Sequence, residues 1–474
     1  MLIYQVKVFR LKKDGATMLI KFSAENFGAI GKKQEIDMGT GKARGKSFHL
    51  LKAFKQSVLR FISIYGGNAA GKSTMIKAMH FGKRMVLNGY LDKRYLAINR
   101  SSNIWADRPS EFVYTIFIEK KKYEYGFCVS WIDEAIIKEW LCEENSRQER
   151  KTIFIRDFQN NDFDLFVKSK SEEINNRLLI YFSDAQNEKN TLFLKEINTK
   201  KGDLFESDSS LQYFRAIYRW FQTKLKFVYP NDSSDLGRYS FLNYPENNDK
   251  LYDCLAQMDS PITNMSYVDI SVEQAFRDVP SSIVEGIESD FKEMFLAQDN
   301  DGNEDISVVM RLDDNYYIIE ADGGGIKNIK TIQLTHGKYG KYEFKEESDG
   351  TKRILELLEI ITSPEQDVTY IVDEIDRSLH PLLTEQLVSM YLNSDKSVQS
   401  QLIITTHESR LLNLKKLRKD EIYFATSQCG ESEFVRLDEF ETSNPRTDLN
   451  IETAYLNGRY GGVPTLIQCQ DLDS

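Results

Sequence analysis

Residues 61–81 read FISIYGGNAAGKSTMIKAMHF. A short apolar run enters a turn, Gly66-Gly67-Asn68-Ala69-Ala70-Gly71, and leaves it through Lys72, Ser73 and Thr74. A helical pattern follows, with Met75, Ile76, Met79 and Phe81 on or near one face. The turn fits GxxxxGK[ST] in full. A strand must deliver it, a helix must start at its end, and its glycines let backbone N–H groups curl around phosphate oxygens. Lys72 is then placed to reach the β- and γ-phosphates, and Ser73 to ligate Mg²⁺. The stretch predicts a site for a nucleoside triphosphate with Mg²⁺. Alone it does not say what the nucleotide is for.

Three later stretches bear on that. YIVDEIDRSLHP, residues 370–381, follows an apolar strand candidate, Val368 to Val372, with Asp373 and Glu374. A carboxylate at a strand end beside a phosphate loop suits a Mg²⁺ shell, and a second one can polarise an attacking water. Alone, the same pair also fits a solvated strand end. QLIITTHES, residues 401–409, is another apolar strand, ending at His407. Its tip could contact a γ-phosphate, although a hydrogen-bonded strand-end histidine reads the same way. In KEESDGTKRILELLEII, residues 345–361, Ser348 precedes Asp349, Gly350, Thr351 and an apolar helix. Locally this is a capped helix whose positive dipole end points outward.

The chain has 474 residues, which suggests about two to three domains of roughly 150 residues each. Its 62 Lys and Arg against 72 Asp and Glu give a net charge of −10, unlike a bulk nucleic-acid binder, while a local basic groove stays open. The five cysteines form no CxxC pair, which argues against zinc and for a reducing, cytoplasmic compartment. No apolar window is long enough to span a membrane, and the N-terminus lacks signal-peptide features.

Residues 1–17 read as an N-terminal extension, since a clean strand pattern opens at Met18. Residues 18–175 read as one lobe containing the phosphate loop and an antiparallel β subdomain. Residues 18–39 pattern as a hairpin broken at Gly28 and Gly31, and 58–65 as the strand that delivers the loop. Residues 110–129 and 133–141 pattern as antiparallel strands. Residues 176–305 read as a mainly helical insertion, with helices over 210–230 and 282–299, and no sustained heptads. Within it Lys200, Lys201, Arg215, Arg219, Lys224 and Lys226 form either a solvated helix face or a partner-facing or nucleic-acid-facing strip. Residues 306–474 form the second lobe, returning to strands over 306–345 with Gly323-Gly324-Gly325 as a turn.

The order of the motifs resembles that of ABC-type ATPases. GGNAAGKST looks like Walker A, ESDGTKRI like a degenerate signature motif, IVDEIDRSLHP like Walker B with the D-loop, and TTHES like the switch-histidine segment. FSAENFGAI resembles the opening of SMC-like and OLD-like heads. NIETAYLNGRYGGVP resembles the tail of AAA/ABC ATPases of bacterial abortive-infection and phage-defence systems, AbiLi-like or like AriA of PARIS. The resemblance covers most of residues 18–465 and is weak over 175–300.

The resemblance implies an α/β fold: a P-loop NTPase of ABC-ATPase head type, with a mixed β-sheet flanked by helices, an antiparallel β subdomain and the insertion. It implies a homodimer or higher homo-oligomer with ATP at the interface. Gly66, Asn68, Ala69, Ala70, Gly71, Lys72, Ser73 and Thr74 would hold the nucleotide in one subunit. Ser348 and Gly350 would contact the γ-phosphate from the other subunit, and Asp376 would couple the two sites. Ser73 and Asp373 would hold Mg²⁺, Glu374 would activate water, and His407 would sense the γ-phosphate. Asp349 departs from transporter signatures, which carry Gly there, and could slow closure. No glutamine-loop residue is assignable.

The expected role is an ATPase that senses infection, with a phage-derived trigger, and regulates a separate nuclease-like effector. After His407 too little chain remains for an added nuclease. The alternative is an SMC-like DNA-repair or DNA-associated ATPase, which would want a long coiled-coil arm. A transporter ATP-binding subunit would place its signature much nearer Ser73.

Overall fold

In the computed structural model the apolar run before the glycine turn is β1 (Phe61–Gly66), buried along its whole length. A strand with parallel neighbours on both sides has both faces covered, so an uninterrupted apolar run suits it. The structure describes residues 3–5, 17–53, 56–89, 98–118, 120–144, 149–167, 169, 171–199, 211–230, 249–277, 279–281, 284–287, 289, 306–312, 315–322, 325–363, 365–394, 399–440 and 450–461. The chain divides into two compact units. One gathers Lys13–Pro230, Glu365–Asp376 and Asp395–Ser474; the other gathers Met1–Lys12, Asn231–Pro364 and Arg377–Ser394.

The first unit holds the phosphate loop. Its elements are β1, α1 (Lys72–Asn88), β2 (Leu225–Val228), β3 (Thr369–Val372), β4 (Gln401–Thr406), β5 (Ile422–Gln428) and β6 (Glu431–Arg436). They form a six-stranded sheet ordered β2-β3-β4-β1-β5-β6, parallel except for the β5–β6 hairpin. Strands far apart in sequence therefore end side by side, and a ligand site forms where their C-terminal ends meet.

The same unit contains a seven-stranded antiparallel sheet, including Thr17–Glu25, Gln34–Asp37, Ser110–Ile118 and Lys121–Ser130. One hydrophobic cluster joins its inner face, α1 and the parallel sheet: Phe22, Phe112 and Tyr125 pack in one core with Met75, Met79 and Ile403. The Tyr114 hydroxyl donates to the Met79 carbonyl at 2.5 Å. A Cβ on Gly82 would stand 2.2 Å from that hydroxyl, so the close crossing requires glycine there.

In the second unit, strands Ile3–Gln5, Ile262–Ile270, Ile306–Leu312, Asn315–Asp322, Gly325–His336 and Gly340–Glu343 form an antiparallel sheet. Helix Asp349–Thr362 packs with helices Asp249–Gln257 and Pro381–Asn393.

Several elements differ from the sequence reading. The strand expected over 58–65 is broken at Arg60, where Gln56–Leu59 turns to pair with Leu50–Ala53 and β1 begins afresh. The helical pattern over 210–230 is a helix over Gln212–Arg219, a π-helical turn over Trp220–Lys224, and then β2. A short apolar run such as LKFV fits a helix or a buried strand equally; pairing with β3 decides it. Within 176–305, strand Ile262–Ile270 accompanies the helices. Within 1–17, Ile3–Gln5 pairs with Val308–Met310. Lys200, Lys201, Gly323, Gly324, most of 282–299 and the last residues of the tail motif lie outside the described residues.

Candidate nucleotide site

The loop after β1 reverses through two left-handed residues, Ala69 at φ 61° and Gly71 at φ 92°. A Cβ on Gly71 would stand 2.0 Å from Ser432 Oγ. Glycine is thus required twice over, by backbone conformation and by space. Gly71 caps α1 without a side-chain hydrogen bond, and the first turn carries no acidic residue. The first-turn N–H groups of such a helix suit an anion.

Lys72 is 6% exposed. Its Nζ donates to the carbonyls of Gly66 at 2.8 Å and Gly67 at 3.0 Å, and lies 3.1 Å from His407 Nε2. Burial lowers its pKa to about 8 against the pull of Asp373, Asp376 and Glu374. A cation so desolvated gains from an anion beside it. The His407 pKa is lowered too, by burial and then by the Lys72 charge. An ammonium can only donate, so His407 Nε2 faces it as the acceptor. The His407 N–H meets both Asp376 carboxylate oxygens at 3.3 Å.

β3 pairs directly with β4, and the two carboxylates sit just past its C-terminal end. Ser73 Oγ donates to Asp373 Oδ1 at 3.1 Å. Thr405 Oγ1 donates to the same oxygen at 2.5 Å and accepts the Glu374 N–H at 2.8 Å. Glu374 is left-handed, at φ 49°, a conformation costing a non-glycine residue roughly 1–3 kcal/mol. No cluster of three or more His, Cys, Asp or Glu among the described residues could hold a metal. The hydroxyl of Ser73 with the carboxylate of Asp373 instead matches the sparse protein share of a Mg²⁺ shell, which phosphate oxygens and water complete. The donor set therefore fits a Mg²⁺–triphosphate.

The predicted residues of this half-site, from Gly66 to Thr74 with Asp373, Glu374, Asp376 and His407, all belong to one unit. Ser348 and Gly350 belong to the other. There Ser348 caps helix Asp349–Thr362, accepting the Thr351 N–H at 3.1 Å. A Cβ on Gly350 would stand 3.0 Å from the Ser378 carbonyl.

Residues of the two stretches that carried the resemblance pack around these elements, with contacts that sequence reading did not assign. Asn26 Nδ2 donates to the Trp105 and Arg108 carbonyls, and Gly28 lies against Thr74 of α1, where a Cβ would meet Thr74 Cγ2 at 2.7 Å. In the tail, Tyr455 and Tyr460 stack on Phe424 of β5, and Glu452 accepts the Ser409 hydroxyl at 3.0 Å, just beyond His407. Thr405 was also missed; a hydroxyl inside an apolar strand was its only signal.

The family model described as "AAA domain, putative AbiEii toxin, Type IV TA system" matches residues 61–229 and 255–413. The chain belongs to this AAA-domain family, and its parallel sheet with the phosphate loop after β1 is the fold of a P-loop NTPase. Among solved structures, an SMC head bound to the C-terminal winged-helix domain of ScpA is 16% identical with a TM-score of 0.40, covering 89% of this chain and 97% of that one. The SMC head domain of Thermotoga maritima is 13% identical, with a TM-score of 0.35 and coverage of 88% and 98%. No curated protein matches the chain. No described helix is long and apolar enough to cross a membrane.

Proposed function

We propose that the chain hydrolyses ATP and uses it to regulate a partner effector in anti-phage, abortive-infection defence, as an AbiLi-like or AriA-like ATPase. The observation that supports hydrolysis most is that α1 meets the ends of β3 and β4 through two contacts, Ser73 on Asp373 at 3.1 Å and Lys72 on His407 at 3.1 Å. Lys72 and the loop N–H groups hold the phosphates. Ser73 and Asp373 hold Mg²⁺, which when bound draws charge off the phosphates. Glu374 accepts the proton of the attacking water, and His407 reads the γ-phosphate.

Two copies bind head to tail. Ser348 and Gly350 of one then complete the site of the other, and Asp376 couples the two sites. The family description, with its toxin–antitoxin wording, supports a defence role over DNA repair. In this reading the protein works in the cytoplasm, a phage-derived signal alters the ATP-bound assembly, and a separate nuclease-like effector is released or activated.

Two experiments test this. Purified Glu374→Gln should bind ATP and fail to hydrolyse it; equal turnover in both proteins would refute the site assignment. Cells carrying the gene with its neighbours should resist phage, and Lys72→Ala should abolish that resistance. Equal plaque counts with and without the intact locus would remove the defence role.

A further inference from the structure

We infer that Thr405 is a positioning residue for ATP hydrolysis, setting the geometry of Asp373 and Glu374 through one hydroxyl. The inference rests on the reading of the site proposed above. Thr405 is fully buried on β4, and its neighbour across the sheet is Ile64 of the strand that carries the phosphate loop. Its hydroxyl donates to Asp373 Oδ1 at 2.5 Å and accepts from the Glu374 N–H at 2.8 Å. A hydroxyl has one donor and at least one free lone pair, so both bonds form at once.

The consequence is geometric. Asp373 Oδ1 also accepts from Ser73, so Thr405 fixes the rotation of the carboxylate that faces the metal side of the loop. Glu374 is left-handed at φ 49°, and its backbone is pinned there. Its own N–H bonds the Thr405 hydroxyl, and the next N–H, of Ile375, bonds the Thr405 carbonyl at 3.1 Å. A strained backbone of this kind persists only when its surroundings over-determine it. His407 follows β4 directly, two residues after Thr405, so the end of one strand sets both the carboxylate pair and the histidine.

Thr405→Val keeps the shape and the β-branch while removing the hydroxyl. Thr405→Ser keeps the hydroxyl. Partners that orient a metal ligand typically contribute roughly 10–100-fold to metal affinity or activity. Wild type, Glu374→Gln, Thr405→Val and Thr405→Ser are compared for kcat, for KM and for the gain in ATP-analogue affinity on adding Mg²⁺. Thr405→Val should bind the analogue in EDTA as wild type does, lose most of the Mg²⁺-dependent gain, and lose kcat. Thr405→Ser should restore both. If the valine variant does not fold, Thr405→Ala takes its place.

If Glu374→Gln is inactive while Thr405→Val keeps wild-type kcat and Mg²⁺ response, the role of Thr405 is overturned. Loss in Thr405→Ser equal to that in Thr405→Val would assign the effect to methyl packing and overturn it too. A wild type that hydrolyses nothing, or a Glu374→Gln that turns over normally, would instead bring down the site reading and this inference with it.

Discussion

Lys72 Nζ and His407 Nε2 stand 3.1 Å apart, so the helix after the phosphate loop and the end of β4 meet through one pair of side chains. The two residues should separate in function. Hydrogen bonds to charged groups contribute roughly 1.5–3 kcal/mol each, so Lys72→Ala should weaken ATP binding by about 10–100-fold. His407→Ala removes the Lys72 partner and the proposed γ-phosphate sensor but leaves the phosphate loop intact, so it should lower turnover far more than affinity. Titration with a fluorescent ATP analogue, alongside phosphate release, distinguishes them.

Gly71 makes a sharper demand. At φ 92°, with Ser432 where a Cβ would go, Gly71→Ala must distort the loop. The expected result is loss of nucleotide binding with a stability cost of roughly 1–3 kcal/mol. Gly45, also left-handed at φ 86° but with open space around its Cβ position, is the control. Gly45→Ala should bind nucleotide normally, as equilibrium binding would show.

The antiparallel sheet depends on a buried ion pair. Arg156 and Glu139 are both fully buried and 2.6 Å apart. Arg156 also donates to the Ala185 and Glu188 carbonyls, while Glu139 accepts from the Phe193 N–H at 2.7 Å and the Leu194 N–H at 3.1 Å. Removing one partner strands the other charge. Arg156→Met should therefore destabilise by about 3–5 kcal/mol, measured by urea unfolding. The double variant Arg156→Met with Glu139→Leu should recover part of that loss.

Gln401 ties the same sheet to the parallel one. Its amide accepts the Leu19 N–H at 2.7 Å and donates to the Leu19 carbonyl at 2.9 Å, all within the core. Gln401→Leu leaves a buried backbone donor and acceptor unpaired, at roughly 1–3 kcal/mol each. A lower urea midpoint with nucleotide affinity intact is expected.

Much of this site is legible in sequence because phosphate binding constrains backbone. Only GxxxxGK[ST] between an apolar strand and a helix gives the loop, and DE or His after an apolar run marks a strand end. The relations between strands are not legible. β2 and β3 lie far apart in sequence yet pair, and nothing in LKFV announces its partner. Gln401, Thr405 and Glu139 look like ordinary polar residues in apolar runs; their importance comes from which backbone groups the folded sheets leave facing them. The break at Arg60 is equally silent, because one apolar run serves two sheets.

The last prediction concerns assembly. If Ser348 and Gly350 act on a partner's nucleotide, a subunit can lose its own phosphate loop and still complete another's site. Lys72→Ala removes the cation beside the phosphates. Ser348→Arg removes the helix cap and fills the space at the helix start. Each alone should be inactive in ATP hydrolysis. In a mixture, heterodimers pair the intact loop of the Ser348→Arg subunit with the intact signature of the Lys72→Ala subunit, giving one complete site per dimer. Measurable hydrolysis should therefore appear on mixing, rising as the two proteins approach equal amounts and subunits exchange. If both motifs served one nucleotide within a single chain, no mixture could rebuild a site, and activity would stay at the level of the separate variants.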